Sequence, residues 1–308
     1  MASTFKTFVS DDIANTRTLL HESIPITGSI VNGATYTSDE NIKTYGHGMF
    51  QSVYDYPYES SSANHIFDMT YAHHPDENEF ENLSNPFHTK RHNVYNQMAQ
   101  VLVGHDVSGN IRKFDRDGDL TGGSKYNSMF FFNFARLLGK DEIKKGTFSM
   151  ELCMNNAYAD RTKGTQTVTV ADAGNENDYR VNSPAGEYSI LKVSNADGGP
   201  LDSANISDNT PCGLIFYQAG VVALDMRIFV ANAGSTDSSG ATRTDGSDGY
   251  LNAAPIMNVG GEDITEMLDG VSTTTDALCT AVRERIINIQ FSNTTELNST
   301  IYFCRVGH

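Results

Sequence analysis

The chain has 308 residues, and 38 acidic against 22 basic side chains leave a formal charge of −16. So negative a chain argues against a general nucleic-acid binder, which needs clustered Lys and Arg on phosphate, and against retention on an anionic membrane surface. No run of about 18 apolar residues marks a membrane span, and Met1 to Phe8 lacks the apolar core of a signal peptide, so synthesis in the cytoplasm is expected.

The expected fold class is α+β, with a helical N-terminal half packed on a mainly antiparallel, β-rich C-terminal half. Three segments are expected: an N-terminal arm with a short helix (1–46), a mostly helical and loop segment (47–146), and an antiparallel β-rich domain with acidic loop insertions (147–308). In the arm, Ser10 is a candidate cap, Asp11 and Asp12 suit the positive end of a helix dipole, and Val9, Ile13 and Leu20 share a side. That pattern predicts a helix over 11–22. Ile24-Pro25-Ile26 ends it. Residues 49–58 read as extended and aromatic-rich, and 73–85 as a polar loop.

Two helices are predicted next. Val94, Met98, Val101 and Leu102 recur at helical spacing, with Gly104 as the stop. Phe130, Phe131, Phe134, Leu137 and Leu138 form an apolar stripe, which predicts a central core helix over 130–138. From Thr147 the period changes to two: Phe148, Met150 and Leu152 alternate with polar neighbours, and 166–170 and 187–193 repeat the pattern. Residues 213–217 and 221–224 flank Gln218-Ala219-Gly220 as a hairpin. Residues 233–250 are Ser-, Gly- and Asp-rich and are expected to be a mobile loop. A helix over 275–285 leads into a strand at 287–291, with 300–306 returning as its partner.

Charge is unevenly spread. Residues 171–270 hold 15 acidic and 4 basic residues, a balance of −11, whereas 111–145 hold 8 basic and 5 acidic, a balance of +3. Such polarity suits contact between copies or with a neighbour, although simple solubility explains it as well.

Chemistry-bearing motifs are sparse. Cys153, Cys212, Cys279 and Cys304 show no paired spacing for zinc and read as small buried hydrophobes. Asp115, Asp117 and Asp119 open like a calcium loop, but Leu120 stands where glycine belongs and Tyr126 where a bidentate Glu belongs. Seven of nine histidines fall between His47 and His105 without a metal-binding motif; adjacent His73 and His74 would point oppositely on a strand. A histidine ring at a subunit axis is one way they could meet a metal. No phosphate loop and no hydrolase elbow is present. The expectation is therefore no catalytic residues, no metal and no cofactor.

Several stretches carry a family likeness. They are Thr4-Phe5-Lys6-Thr7-Phe8, Asp11-Asp12-Ile13-Ala14, Thr18-Leu19-Leu20-His21-Glu22-Ser23-Ile24-Pro25-Ile26, Gly48-Met49-Phe50-Gln51-Ser52-Val53-Tyr54-Asp55-Tyr56-Pro57-Tyr58 and Tyr95-Asn96-Gln97-Met98-Ala99-Gln100-Val101-Leu102. Asn133-Phe134-Ala135-Arg136-Leu137-Leu138, Asp141-Glu142-Ile143-Lys144-Lys145-Gly146 and Glu296-Leu297-Asn298-Ser299-Thr300-Ile301-Tyr302-Phe303-Cys304-Arg305 complete the set. Together they resemble a family of virion structural proteins from contractile-tailed phages of marine cyanobacteria and related hosts. The resemblance implies a non-enzymatic assembly subunit of the tail or baseplate, located in the virion. It would bind copies of itself and other virion proteins, without nucleic acid or membrane. A capsid decoration or neck protein, and a carbohydrate-binding or carbohydrate-cleaving tail protein, are the alternatives; the absence of tryptophan weighs against the latter. Interface contacts are expected from Phe5, Phe8, Ile13, Leu19 and Leu20 in the arm and from Tyr54, Tyr56 and Tyr58.

Overall fold

The structure, a computed structural model, describes residues 8–27, 40–76, 82–138, 141–154, 166–172, 174, 177–194, 210–230 and 264–304. Its elements in chain order are β1 (Ile13–Thr27), β2 (Ile42–Thr44), β3 (Phe50–Tyr54), β4 (His65–His73), α1 (His88–Leu102), β5 (Phe114–Asp115), β6 (Lys125–Tyr126), β7 (Ser128–Asn133) and α2 (Ala135–Leu138). There follow β8 (Glu142–Ile143), β9 (Ser149–Met154), β10 (Gln166–Ala171), β11 (Arg180–Ser183), β12 (Gly186–Ser194), β13 (Thr210–Phe216), β14 (Val221–Asp225), α3 (Ile264–Asp269), α4 (Thr275–Arg283) and β15 (Ile286–Tyr302).

One 13-stranded antiparallel sheet organises them. Its order is β1-β15-β9-β10-β12-β13-β14-β7-β4-β3-β2, with β11 added on β12 and β8 on β15; β5 and β6 form a separate pair. The expected helical N-terminal half is therefore overturned, because β1 to β4 and β7 lie in the same sheet as the C-terminal strands. Both faces of the sheet's middle are covered. Phe130 and Phe132 join one cluster with Ile215, Val222, Leu224 and the apolar sides of α3 and α4 (Ile264, Leu268, Leu278, Val282). Met129 and Phe131 join the other with Leu214, Phe216 and Tyr95, Ala99 and Leu102 of α1.

Two predicted helices are strands, for different reasons. Residues 130–138 divide into β7 and the short α2. A strand apolar on both faces has no alternation, so a run of aromatics reads equally well as a helical stripe. Residues 11–22 form a 3-10 turn (Ser10–Asp12) and then β1, which pairs antiparallel with β15 from Ile13↔Tyr302 to Thr27↔Asn288. A long-range ladder overrode a weak local stripe. The same ladder explains why 300–302 do not return on 287–291: they continue β15 unbroken, and its partner β1 comes from the N-terminal part of the chain; residues 305–306 lie outside the described residues.

Other expectations hold. The stripe Val94 to Leu102 lies in α1, and Gly104, at φ 75°, donates to Ala99 O to close the helix end. Thr274 caps α4 by accepting from Ala277 N at 3.3 Å. β9, β10, β12 and the β13–β14 hairpin stand where alternation placed them. Residues 233–250 lie outside the described residues.

Candidate functional site

Two features stand out, a projecting strand pair and a histidine cluster. Among the described residues, the body of the sheet pairs with β15 through its first half: Ile286 to Gln290 face β9, and Asn293 and Thr294 face β8. From Thr295 to Tyr302 its strand partner among the described residues is β1. That stretch spans roughly 25 Å at the usual rise of about 3.4 Å per residue. Its root is fastened by Asp141, whose carboxylate accepts from Asn293 Nδ2 at 2.7 Å and Thr295 Oγ1 at 2.5 Å.

The tip of this ribbon is apolar and wet. Phe303 N donates to Asp12 O at 2.8 Å, and the Phe8 ring lies 5.4 Å from that of Tyr302. Phe8, Val9, Ile301, Tyr302 and Phe303 are each about half exposed, between 47 and 60 %. Grouped apolar side chains in water mark a surface that something covers. Cys304, expected to be buried, is exposed beside them, whereas Cys212 and Cys279 are buried as expected and burial pushes both thiols up, leaving them unreactive.

The anticipated interface residues divide into two places. Phe5 lies outside the described residues. Phe8 is at the tip, Ile13 begins β1 opposite Tyr302, and Leu19 and Leu20 stand in register with Glu296 and Thr295. Tyr54 ends β3 half-buried, its ring 5.3 Å from that of His65, while Tyr56 and Tyr58 are exposed in the turn beyond. β1 and β3 lie towards opposite ends of the strand order, so these are two separate surfaces.

The histidine cluster arises from two periodicities. β4 ends at His73, and His73 and the following His74 meet different stretches of α1. His74 meets the Tyr95 ring edge-on at 5.4 Å and Asp76 Oδ2 at 3.3 Å, whereas His73 is fully buried against α1. There His88 and His92, four residues apart, share one helical face. Ring centroids lie 5.0 Å (His73–His88), 4.5 Å (His73–His92) and 4.1 Å (His88–His92) apart. One ring nitrogen from each falls within 4.8 Å of the others. Burial, then the neighbouring His92, His88 and Arg91, holds His73 down to about 2; burial and His88 hold His92 down to about 4. Both are neutral near pH 7. Only the i, i+4 spacing of His88 and His92 was visible in the sequence; their meeting with His73 depended on the fold.

Asp115, Asp117 and Asp119 also converge, with carboxylate oxygens within 4.8 Å of one another. Here the protein supplies its own cation: Lys125 Nζ lies 2.9 Å from Asp115 Oδ1. The carboxylates also accept from the backbone of the loop, Asp115 from Leu120 N at 2.8 Å and Asp119 from Thr121 N at 2.6 Å. The run is a hydrogen-bonded loop joining β5 to β6.

Comparison with protein-family models, with curated proteins and with solved structures returns no match.

Proposed function

We propose that this chain is a structural subunit of a phage virion, in the tail or baseplate, acting by docking onto copies of itself and onto other virion proteins. The observation that carries the reading is the ribbon: β1, 15 residues long, forms one end of the sheet and leads to an apolar tip. A long edge strand offers alternate backbone N–H and C=O groups along its outer side. Proteins that act alone blunt such edges, so an outer side that no strand among the described residues pairs with suits strand addition by a neighbour. The word-level resemblance to virion proteins of contractile-tailed phages supplies the particle, and the strong acidity fits partners other than nucleic acid. Catalysis plays no part in this reading.

The test alters the tip and leaves the ladder intact. Because β1 is the partner of β15, deleting residues 1–27 would expose a second edge, whereas Phe8→Ser with Tyr302→Ser and Phe303→Ser removes apolar area alone. Sedimentation velocity and incorporation into particles, located by electron microscopy, are the measurements. Wild-type protein is expected to self-associate and to enter tails, and the triple variant to remain monomeric with an unchanged circular dichroism spectrum. Equal incorporation of the two chains overturns the reading, as does a wild-type chain that stays monomeric and out of particles.

A further inference from the structure

We propose that His73, His88 and His92 form a binding site for one divalent transition-metal ion of the zinc class. Three imidazoles, one from β4 and two from successive turns of α1, present nitrogens within 4.8 Å of one another. Around a tetrahedral zinc at about 2.0–2.1 Å, such nitrogens would lie roughly 3.3 Å apart. Reaching that geometry moves each atom by about 1 Å or less, within the range of a side-chain adjustment.

The chemistry of the donors selects the ion. Imidazole nitrogens suit Zn²⁺, Ni²⁺, Co²⁺ and Cu²⁺, whereas Ca²⁺ and Mg²⁺ ask for oxygen. Nε2 of His92 is buried and has no hydrogen-bond partner among the described residues, so an ion bound there would displace none of the hydrogen bonds those residues make. Phenyl rings would fill this space without bringing basic nitrogens together. His88 and His92 are only half-buried, so the cluster lies near the surface. Arg91, the nearby cation, is directed elsewhere: it donates from Nε to Thr275 Oγ1 at 3.1 Å and from Nη2 to Thr273 O at 2.8 Å. A bound ion would fasten α1 to β4 at the end of the sheet.

Untagged protein, stripped with chelator and dialysed, is titrated with ZnCl₂ by calorimetry, and with Co²⁺ to read visible ligand-field bands. One ion per chain, a rise in the melting temperature with Zn²⁺, and Co²⁺ bands characteristic of nitrogen ligation are expected. His88→Gln and His92→Gln preserve helix propensity, and each is expected to weaken binding about tenfold or more. His105→Gln, exposed and outside the cluster, should bind as the wild type does. Absence of saturable binding to the folded wild-type chain overturns the site. So does affinity unchanged in the double variant His88→Gln/His92→Gln, which would place the ion elsewhere. The wild-type titration decides the matter even if a variant fails to fold, and its outcome is independent of whether the ribbon drives assembly.

Discussion

Arg91 in the second turn of α1 donates to Thr275 in the first turn of α4, Nε to Oγ1 at 3.1 Å, joining helices 184 residues apart. The arginine is fully buried, its guanidinium 5.7 Å from the Tyr71 ring and bonded also to Thr273 O. A buried cation so placed acts as a strut between the helices that flank β4. Arg91→Ala would remove the strut and leave buried acceptors without their donor. A loss of about 3 kcal/mol is expected in urea unfolding. A variant within 0.5 kcal/mol of the wild type would show that water replaces the guanidinium.

Asp172 closes the turn into β9. Its carboxylate accepts from Gly146 N and Phe148 N, each at 2.8 Å, and from Tyr217 OH at 2.9 Å. Asp172→Ala strands three donors in a buried site and is expected to cost about 3 kcal/mol. Because burial raises the Asp172 pKa in the fold, its ionisation weighs against stability as pH rises through that raised value. Relative to the wild type, the alanine variant should therefore lose somewhat less at pH 7 than at pH 4, read from urea midpoints at both values.

Asp68 behaves in the opposite sense. Burial alone would raise its carboxyl, but hydrogen bonds from His65 Nε2 at 2.7 Å and Ser52 Oγ at 2.5 Å outweigh it and hold the group below its ordinary 3.8. A carboxylate lowered in the fold stabilises above its unfolded value, and that stabilisation is lost as pH falls through the lower folded one. The difference in unfolding midpoint between wild type and Asp68→Asn should thus shrink steadily from pH 5 to pH 2. A difference independent of pH would place its origin outside this carboxylate.

Gly213 leaves no room for a side chain against β14. A methyl group there would meet Ala223 O at 2.3 Å and Leu224 Cα at 3.1 Å, both backbone atoms that cannot swing aside. Gly213→Ala is expected to cost about 2–3 kcal/mol and to open the ladder Gly213↔Leu224 to Phe216↔Val221. Amide hydrogen exchange should register that opening first at the Gly213 end. Protection equal to the wild type would mean that the strands absorb the methyl group.

What the sequence determined by itself is what neighbours along the chain decide. α1 and α4 follow from apolar residues three and four apart, with Gly104 closing α1 and Thr274 capping α4, and the β13–β14 hairpin from two apolar runs around a short turn. Alternation of apolar with polar residues, Met150 and Leu152 with Ser149 and Glu151, Val168 and Val170 with Thr167 and Thr169, placed β9 and β10 for the same reason, and a similar run placed β12. Tertiary structure decided everything that needed a distant partner. β7 is buried on both faces, so its aromatics carry no period to read; β1 is extended because β15 pairs with it from the far end of the chain. The histidine cluster and the apolar tip belong to this second kind. His73 meets His88 and His92, and Phe8 meets Tyr302, only once the sheet has set their backbones side by side. Local spacing encodes which way a side chain points; the fold alone determines what it finds there.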